Sequence, residues 1–108
     1  MSMKLVRDKI PELMLNQGKI VEIRTAMGRE YEFMLMKKLQ EEVDEYLHER
    51  TADELADITE VLHCLADIRG FGWEKIEEIR NHKNNERGSF KKKIILEKVE
   101  EAPFLERK

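Results

Sequence analysis

The sequence predicts an all-α protein, an antiparallel bundle of three to four helices forming a single domain over residues 1–108. Charged residues make up 40% of the chain and apolar residues 41%, and only five glycines and two prolines interrupt it, a composition typical of folded helical domains. Three long segments also repeat apolar residues at spacings of three and four. A chain of 108 residues is long enough to bury one modest core.

The first predicted element is a short helix over residues 8–17. Pro11 suits the first turn of a helix, and Gly18 suits its end. The following run, residues 19–25, alternates Ile and Val with polar side chains, as a short half-buried strand does. Residues 92–100 show a related pattern, so we expect the two runs to pair as a short two-stranded β ribbon near the termini.

Three longer helices follow in the predicted order. The first covers residues 30–48, where the apolar stripe consists of Leu35, Leu39, Val43, Tyr46 and Leu47. Thr51 followed by Glu54 fits a capping box, which begins a second helix that runs to Ile68 before Gly70. The last helix runs from Trp73 to about residue 85, with Gly88 closing it.

Each of the first two long helices carries two acids one turn apart, Glu42 with Glu45 and Glu54 with Asp57. The short connection makes the helices antiparallel neighbours, and the register then places Glu45 opposite Glu54 and Glu42 opposite Asp57. Four carboxylates in one patch would repel each other and raise their pKa values. A hard divalent cation, Mg²⁺ or alternatively Mn²⁺, removes that conflict, so the sequence predicts these four acids as metal ligands.

A plainer interpretation stands beside this one. Glu54 alone fits the third helical position of a capping box, and Glu41 and Glu45 fit a solvated helix surface. Such charges are common in an acid-rich chain. The four acids as a set, with matched heights at the edge of the apolar stripe, favour metal binding.

The acidic segments also resemble a known signature. "EEVDE" at 41–45 with "ELAD" at 54–57 is similar to the EExxE…ExxD pattern of the MazG-like all-α nucleoside triphosphate pyrophosphohydrolases. "KLVRDKIPEL" at 4–13 and "ERGSFKKKIILEKV" at 86–99 resemble the ends of a small single-domain, phosphoribosyl-ATP pyrophosphohydrolase-like branch of that superfamily. The likeness therefore covers nearly the whole chain.

The resemblance implies Mg²⁺-dependent hydrolysis of a nucleoside triphosphate between the α and β phosphates, giving the monophosphate and pyrophosphate, as in house-cleaning of non-canonical nucleotides. It implies the four acids above as metal ligands, with Glu41 assisting through water or a second ion. We expect Glu45 or Glu41 to act as the catalytic group that accepts the proton of the attacking water. The short gap between the two acidic segments lacks the longer loop that some relatives use around the base, so substrate range does not transfer.

A polyphosphate also needs cations from the protein. Lys83 and Arg87, four residues apart on one helix, and Lys91 beyond Gly88 are the first candidates for phosphate binding. Arg7 and Lys9 are second candidates. The alternative is that basic residues near a helix C-terminus only offset the helix dipole.

Two competing functions remain open at this stage. One is phosphoribosyl-ATP pyrophosphohydrolase activity, which uses the same metal chemistry on another substrate. The other is a non-enzymatic helical interaction module whose basic stretch at 82–93 contacts RNA or an acidic partner. A net charge of -3 and a single aromatic residue in that stretch, Phe90, argue against nucleic acid.

The remaining expectations concern location and assembly. Cys64 is the single cysteine and cannot form an internal disulfide, the opening residues lack the apolar run of a signal peptide, and the cytoplasm is expected. No apolar run of about eighteen residues predicts a membrane span. Helices of this length cannot cover all the large apolar side chains at once, so we expect a homodimer, with a tetramer as the alternative. The side chains concerned are Met14, Phe33, Met34, Met36 and Trp73.

Overall fold

A computed structural model describes residues 3–102, and this part of the chain contains four α-helices. They are α1 (Ile10–Asn16), α2 (Arg29–Glu49), α3 (Ala52–Ile68) and α4 (Trp73–Arg87). The predicted all-α class is confirmed, and the predicted helix ends differ from the observed ends by no more than about two residues. Contacts divide the chain into two compact units, Met1–Ile76 and Glu77–Lys108, so the single domain stays a prediction.

The first unit is built on an antiparallel hairpin of α2 and α3. Helix α2 ends at a left-handed residue, Arg50, with a φ of 58° and an amide that donates to the Tyr46 carbonyl at 2.7 Å. Helix α3 begins directly afterwards, because the Thr51 hydroxyl accepts a hydrogen bond from the Glu54 amide at 3.3 Å. Within residues 3–102 these are the two helices that pack on each other, so the wider bundle stays a prediction.

The core of the hairpin is small. In the described part of the chain the buried apolar side chains are Leu35, Val61 and Ala66. Other members of the predicted stripe are half-buried, and Leu47 is exposed. The reason is geometric, since an amphipathic stripe is wider than the single helix-helix contact that a hairpin offers.

Helix α3 ends in a turn that carries the chain into α4. Gly70 has a φ of +74°, a left-handed conformation that glycine adopts without strain, and the Phe71 amide donates to the Ala66 carbonyl at 2.9 Å. The turn brings Trp73 back onto α3, where its ring stacks on His63 with centroids 3.6 Å apart. Trp73 therefore serves as a packing residue in the first unit.

The expected β ribbon is not confirmed, because residues 19–25 and 92–100 contain no strand. Both segments expose most of their apolar side chains: Ile20 is 100% exposed and Ile94 is 81% exposed, whereas Val21 is half-buried. An alternating pattern shows that a segment suits a strand, but an isolated two-stranded ribbon is only marginally stable.

The second unit consists of the remainder of α4 and the segment after it. Gly88 ends the helix with a φ of +80°, and its amide donates to the Asn84 carbonyl at 2.9 Å. None of the helices described for residues 3–102 combines the length and the apolar character that crossing a lipid bilayer requires.

Candidate metal centre

Three carboxylates from the two hairpin helices meet at one place. Glu42 of α2 and Glu54 and Asp57 of α3 each offer an oxygen, and the three oxygens lie within 4.8 Å of one another. The antiparallel register produces this meeting, since Glu42 faces Asp57 and Glu54 lies one turn before Asp57 on the same helix. A donor set made only of carboxylate oxygens is the set that Mg²⁺ and Mn²⁺ prefer.

Glu42 is the buried charged side chain among the described residues, with only 5% of its surface exposed. It lies at the edge of the apolar stripe, so the packing that buries Leu35 and Val61 also removes Glu42 from water. One of its oxygens, Oε1, lies 3.2 Å from Lys38 Nζ, whereas Oε2 is buried without a hydrogen-bond partner in residues 3–102. Buried charges are normally paired or bound to metals, and Oε2 has neither here.

Burial raises the pKa of Glu42, the nearby carboxylates Glu45 and Asp57 raise it further, and Lys38 opposes that rise. The net direction is upward. The folded hairpin therefore disfavours the ionised form of Glu42, although Lys38 lies beside it.

Glu54 serves both the helix cap and the cluster, through different atoms. Its amide caps α3 through the Thr51 hydroxyl, whereas its carboxylate oxygen Oε2 is buried without a partner among the described residues. Burial raises the pKa of Glu54, and a hydrogen bond with the Glu45 carboxyl adds to the rise. The Glu54 amide thus takes part in the helix cap, whereas its carboxylate belongs to the acid cluster.

The other two predicted acids lie beside this group of three. Glu45 is exposed and contacts Glu54, on the face that the register assigned to it. Glu41 lies 3.5 Å from Lys38 Nζ. The structure thus brings Glu42, Glu54 and Asp57 together, adds Glu45 at the border and keeps Glu41 next to a lysine.

Comparison with protein-family models, with curated proteins and with solved structures found no match. The resemblance of residues 41–45 and 54–57 to the MazG-like enzymes therefore stays a prediction from those motifs. The chemistry of the site has to be argued from its own residues.

Arg7 contacts the acid cluster directly. Its Nη2 atom donates a hydrogen bond to Asp57 Oδ1 at 2.7 Å, and this bond raises the pKa of Arg7. The Arg7 side chain remains 58% exposed, so the pair is accessible from solvent. Lys9, the companion candidate, occupies the N-cap position of α1 and is exposed.

Lys38 is a residue that the sequence reasoning missed. Burial opposes its charge, but the hydrogen bond to Glu42 and the field of Glu41 raise the pKa of Lys38 overall. A local signal was present, because Lys38 precedes Glu41 by three residues and Glu42 by four, the spacings at which helical side chains meet.

The remaining candidate cations belong to the second unit. Lys83 and Arg87 line a shallow depression of about 220 Å³ on α4, together with His82 and two glutamates. Lys91 is exposed after Gly88. The role of these three residues toward the acid cluster stays a prediction.

Proposed function

We propose that this protein is a Mg²⁺-dependent nucleoside triphosphate pyrophosphohydrolase of the MazG-like type, cleaving between the α and β phosphates. The observation that carries the proposal is the buried side chain of Glu42, whose Oε2 lacks a hydrogen-bond partner in the described chain and one of whose oxygens lies within 4.8 Å of oxygens of Glu54 and Asp57. A buried carboxylate oxygen without a hydrogen-bond partner lowers the stability of the fold. A bound divalent cation supplies the missing partner.

Glu42, Glu54 and Asp57 would hold the ion, which supplies charge neutralisation at the phosphate oxygens and lowers the pKa of a coordinated water. Glu45 is suited to accept the proton of the attacking water, because it lies beside Glu54 yet is exposed to solvent. Glu41 is the second candidate for that role. As the water oxygen bonds to phosphorus, the bridging phosphoanhydride bond breaks, the proton passes to the carboxylate and pyrophosphate leaves.

We further propose that the protein works as a homodimer, with a tetramer as the alternative. Phe33 and Met36 lie three residues apart on α2 and are 57% and 51% exposed, and Leu55 and Leu62 of α3 are exposed as well. Large apolar side chains along both helices of a hairpin with so small a core favour a second copy as their cover.

The test is pyrophosphate release from a panel of canonical and damaged nucleoside triphosphates with Mg²⁺ or Mn²⁺. We expect pyrophosphate and the monophosphate as products, and we expect Glu54→Gln to lower turnover by at least about 100-fold. Asp53→Asn is a matched control, because Asp53 is the preceding residue on α3 and is exposed. Absence of pyrophosphate with every substrate, or equal turnover in both variants, would refute the proposal.

Adding phosphoribosyl-ATP to the panel, and testing an inactive protein for binding of RNA or an acidic protein, separates the alternatives. Activity restricted to phosphoribosyl-ATP would assign the same metal chemistry to that substrate. An inactive protein that binds RNA or an acidic protein through residues 82–93 would be an interaction module.

A further inference from the structure

The segment before α1, residues 3–9, lies across the outside of the acid-bearing hairpin. Met3, Lys4 and Leu5 line a groove against α2, and two residues later Arg7 binds Asp57 of α3. The groove has a volume of about 580 Å³, which is within the range of small-molecule sites in proteins. The groove borders the acid cluster through two of its lining residues, Glu45, which contacts Glu54, and Lys38, which contacts Glu42. Glu42, Glu54 and Asp57 are not among its lining residues.

The α2 side of the groove carries both signs of charge. Glu41, Asp44 and Glu45 line it on the acidic side, and Lys37 and Lys38 lie one to two turns earlier on the same helix. Lys4 adds a third cation from the opposite wall. The free oxygens of a metal-bound polyphosphate need cations, and this groove offers them next to the carboxylates proposed to hold the ion.

Two acids of the cluster already have a cation. Arg7 Nη2 lies 2.7 Å from Asp57 Oδ1, and Lys38 Nζ lies 3.2 Å from Glu42 Oε1. A divalent cation bound by the same carboxylates would compete for their lone pairs and would repel both side chains at short range. Each displaced side chain remains tethered next to the groove, and guanidinium and ammonium groups are strong donors to phosphate oxygens.

We propose that Arg7 and Lys38 are exchangeable counter-ions, which neutralise Asp57 and Glu42 without metal and pass to a polyphosphate in this groove when a divalent cation binds. The proposal rests on the function proposed above and names the groove and cations that hold the substrate's phosphates. It keeps Arg7, already a candidate from the sequence, as a phosphate-binding residue and adds Lys38.

The exchange predicts opposite effects of a single substitution on two ligands. Arg7→Gln removes a competitor for Asp57, so Mn²⁺ alone should bind about 3- to 10-fold more tightly. The same substitution removes a phosphate donor, so methylenediphosphonate at saturating Mn²⁺ should bind at least about 10-fold more weakly. If Arg7 only held the segment against the hairpin, its substitution would weaken the binding of both Mn²⁺ and methylenediphosphonate, or would change neither.

The experiment is calorimetric titration of the full chain, first with Mn²⁺ alone and then with methylenediphosphonate, whose bridging carbon cannot be hydrolysed. Arg69→Gln is the matched control, because Arg69 is also exposed and pairs with an acid of α2, Glu32, at 3.1 Å. Lys38→Gln is expected to follow Arg7→Gln in both directions. Thermal unfolding without metal verifies that each variant is folded, and the exposed Arg7 position keeps the test valid even if Lys38→Gln unfolds.

The outcomes distinguish the two proposals. Opposite shifts in Arg7→Gln with an unchanged Arg69→Gln support the exchange. Parallel shifts, or an Arg7→Gln variant that behaves like the control, overturn the exchange while the metal site stands. A wild-type protein that binds no Mn²⁺ overturns the metal site and the exchange together.

Discussion

Lys38 Nζ lies 3.2 Å from the carboxylate of Glu42, so the most buried acid of the described chain is held by a lysine one turn earlier on the same helix. This pair decides how the hairpin tolerates an acid in its core. Lys38 supplies one positive charge and Arg7 supplies another at Asp57, yet two carboxylate oxygens remain without partners in residues 3–102. The cluster is therefore stabilised in part, with capacity left for a cation.

The Lys38–Glu42 pair gives the first prediction. Lys38→Met should lower the free energy of unfolding of the metal-free protein by about 1–3 kcal/mol near neutral pH, because it leaves a buried carboxylate without its cation. Chemical denaturation measures the effect. Lys37→Met is the control, since Lys37 is the neighbouring lysine and lies over the Phe33 ring at 5.8 Å, a contact that contributes about 0.5–1 kcal/mol. Equal losses in the two variants would show that the pair does not stabilise the core.

A second prediction concerns pH. The pKa of Glu54 is raised in the folded state, chiefly by burial. At pH values just above the ordinary pKa of a glutamate, the folded state therefore binds more protons than the unfolded state. The contribution of Glu54 to stability is therefore lost as the pH rises, and in EDTA the melting temperature should fall as the pH is raised above the ordinary pKa of a glutamate. Mg²⁺ should reverse this loss.

Glu54→Gln isolates that contribution. The variant should melt higher than the wild type in EDTA at neutral pH, should show a flatter pH dependence, and should gain less from Mg²⁺. Asp53→Asn should keep the wild-type dependence. A Glu54→Gln variant that is less stable than the wild type at neutral pH without metal would show that the carboxylate is favourably paired.

The connection between α2 and α3 gives a third prediction. Arg50 has a φ of 58°, a conformation that is unfavourable for residues with a Cβ and natural for glycine. Arg50→Gly should raise the free energy of unfolding by about 0.5–1 kcal/mol. His48→Gly, within the last turn of α2, should lower it by a similar amount, about 0.5–1 kcal/mol, because glycine weakens a helix interior. Both are measured by denaturation, and a loss of stability in Arg50→Gly would be the contrary result.

A fourth prediction tests the proposed dimer. Sedimentation equilibrium of the wild type should show a mass of two chains, and Met36→Lys should shift the equilibrium toward one chain, because it places a charge on the exposed apolar face of α2. Lys19→Glu, at an exposed position outside the helices, should leave the mass unchanged. A wild type that sediments as one chain at every concentration would contradict the dimer.

The sequence predicted the parts of the fold that local chemistry controls. Thr51 and Gly70 mark the two ends of α3 because each satisfies backbone groups within a few residues. A two-residue connection left a single antiparallel register, so the meeting of Glu42 with Asp57 followed from spacing alone.

Contacts between distant parts of the chain could not be predicted from the sequence. Arg7 pairs with Asp57 across 50 positions, and no local pattern distinguishes that arginine from the other basic residues. The contacts of Lys38 could have been predicted, since its spacing to Glu41 and Glu42 is local. A lysine beside acids on a helix, however, usually indicates solvated surface. The predicted ribbon is not confirmed for a third reason: alternation in residues 19–25 indicates a strand-forming segment without specifying its neighbour.

The proposed function depends most on whether Glu42, Glu54 and Asp57 hold a divalent cation. Mn²⁺ titration followed by electron paramagnetic resonance measures this directly. We predict saturable binding by the wild type and at least about 10-fold weaker binding by Glu42→Gln, with Asp53→Asn unchanged. Mn²⁺ binding of equal strength in all three proteins, or no Mn²⁺ binding by the wild type, would contradict a metal site at Glu42, Glu54 and Asp57.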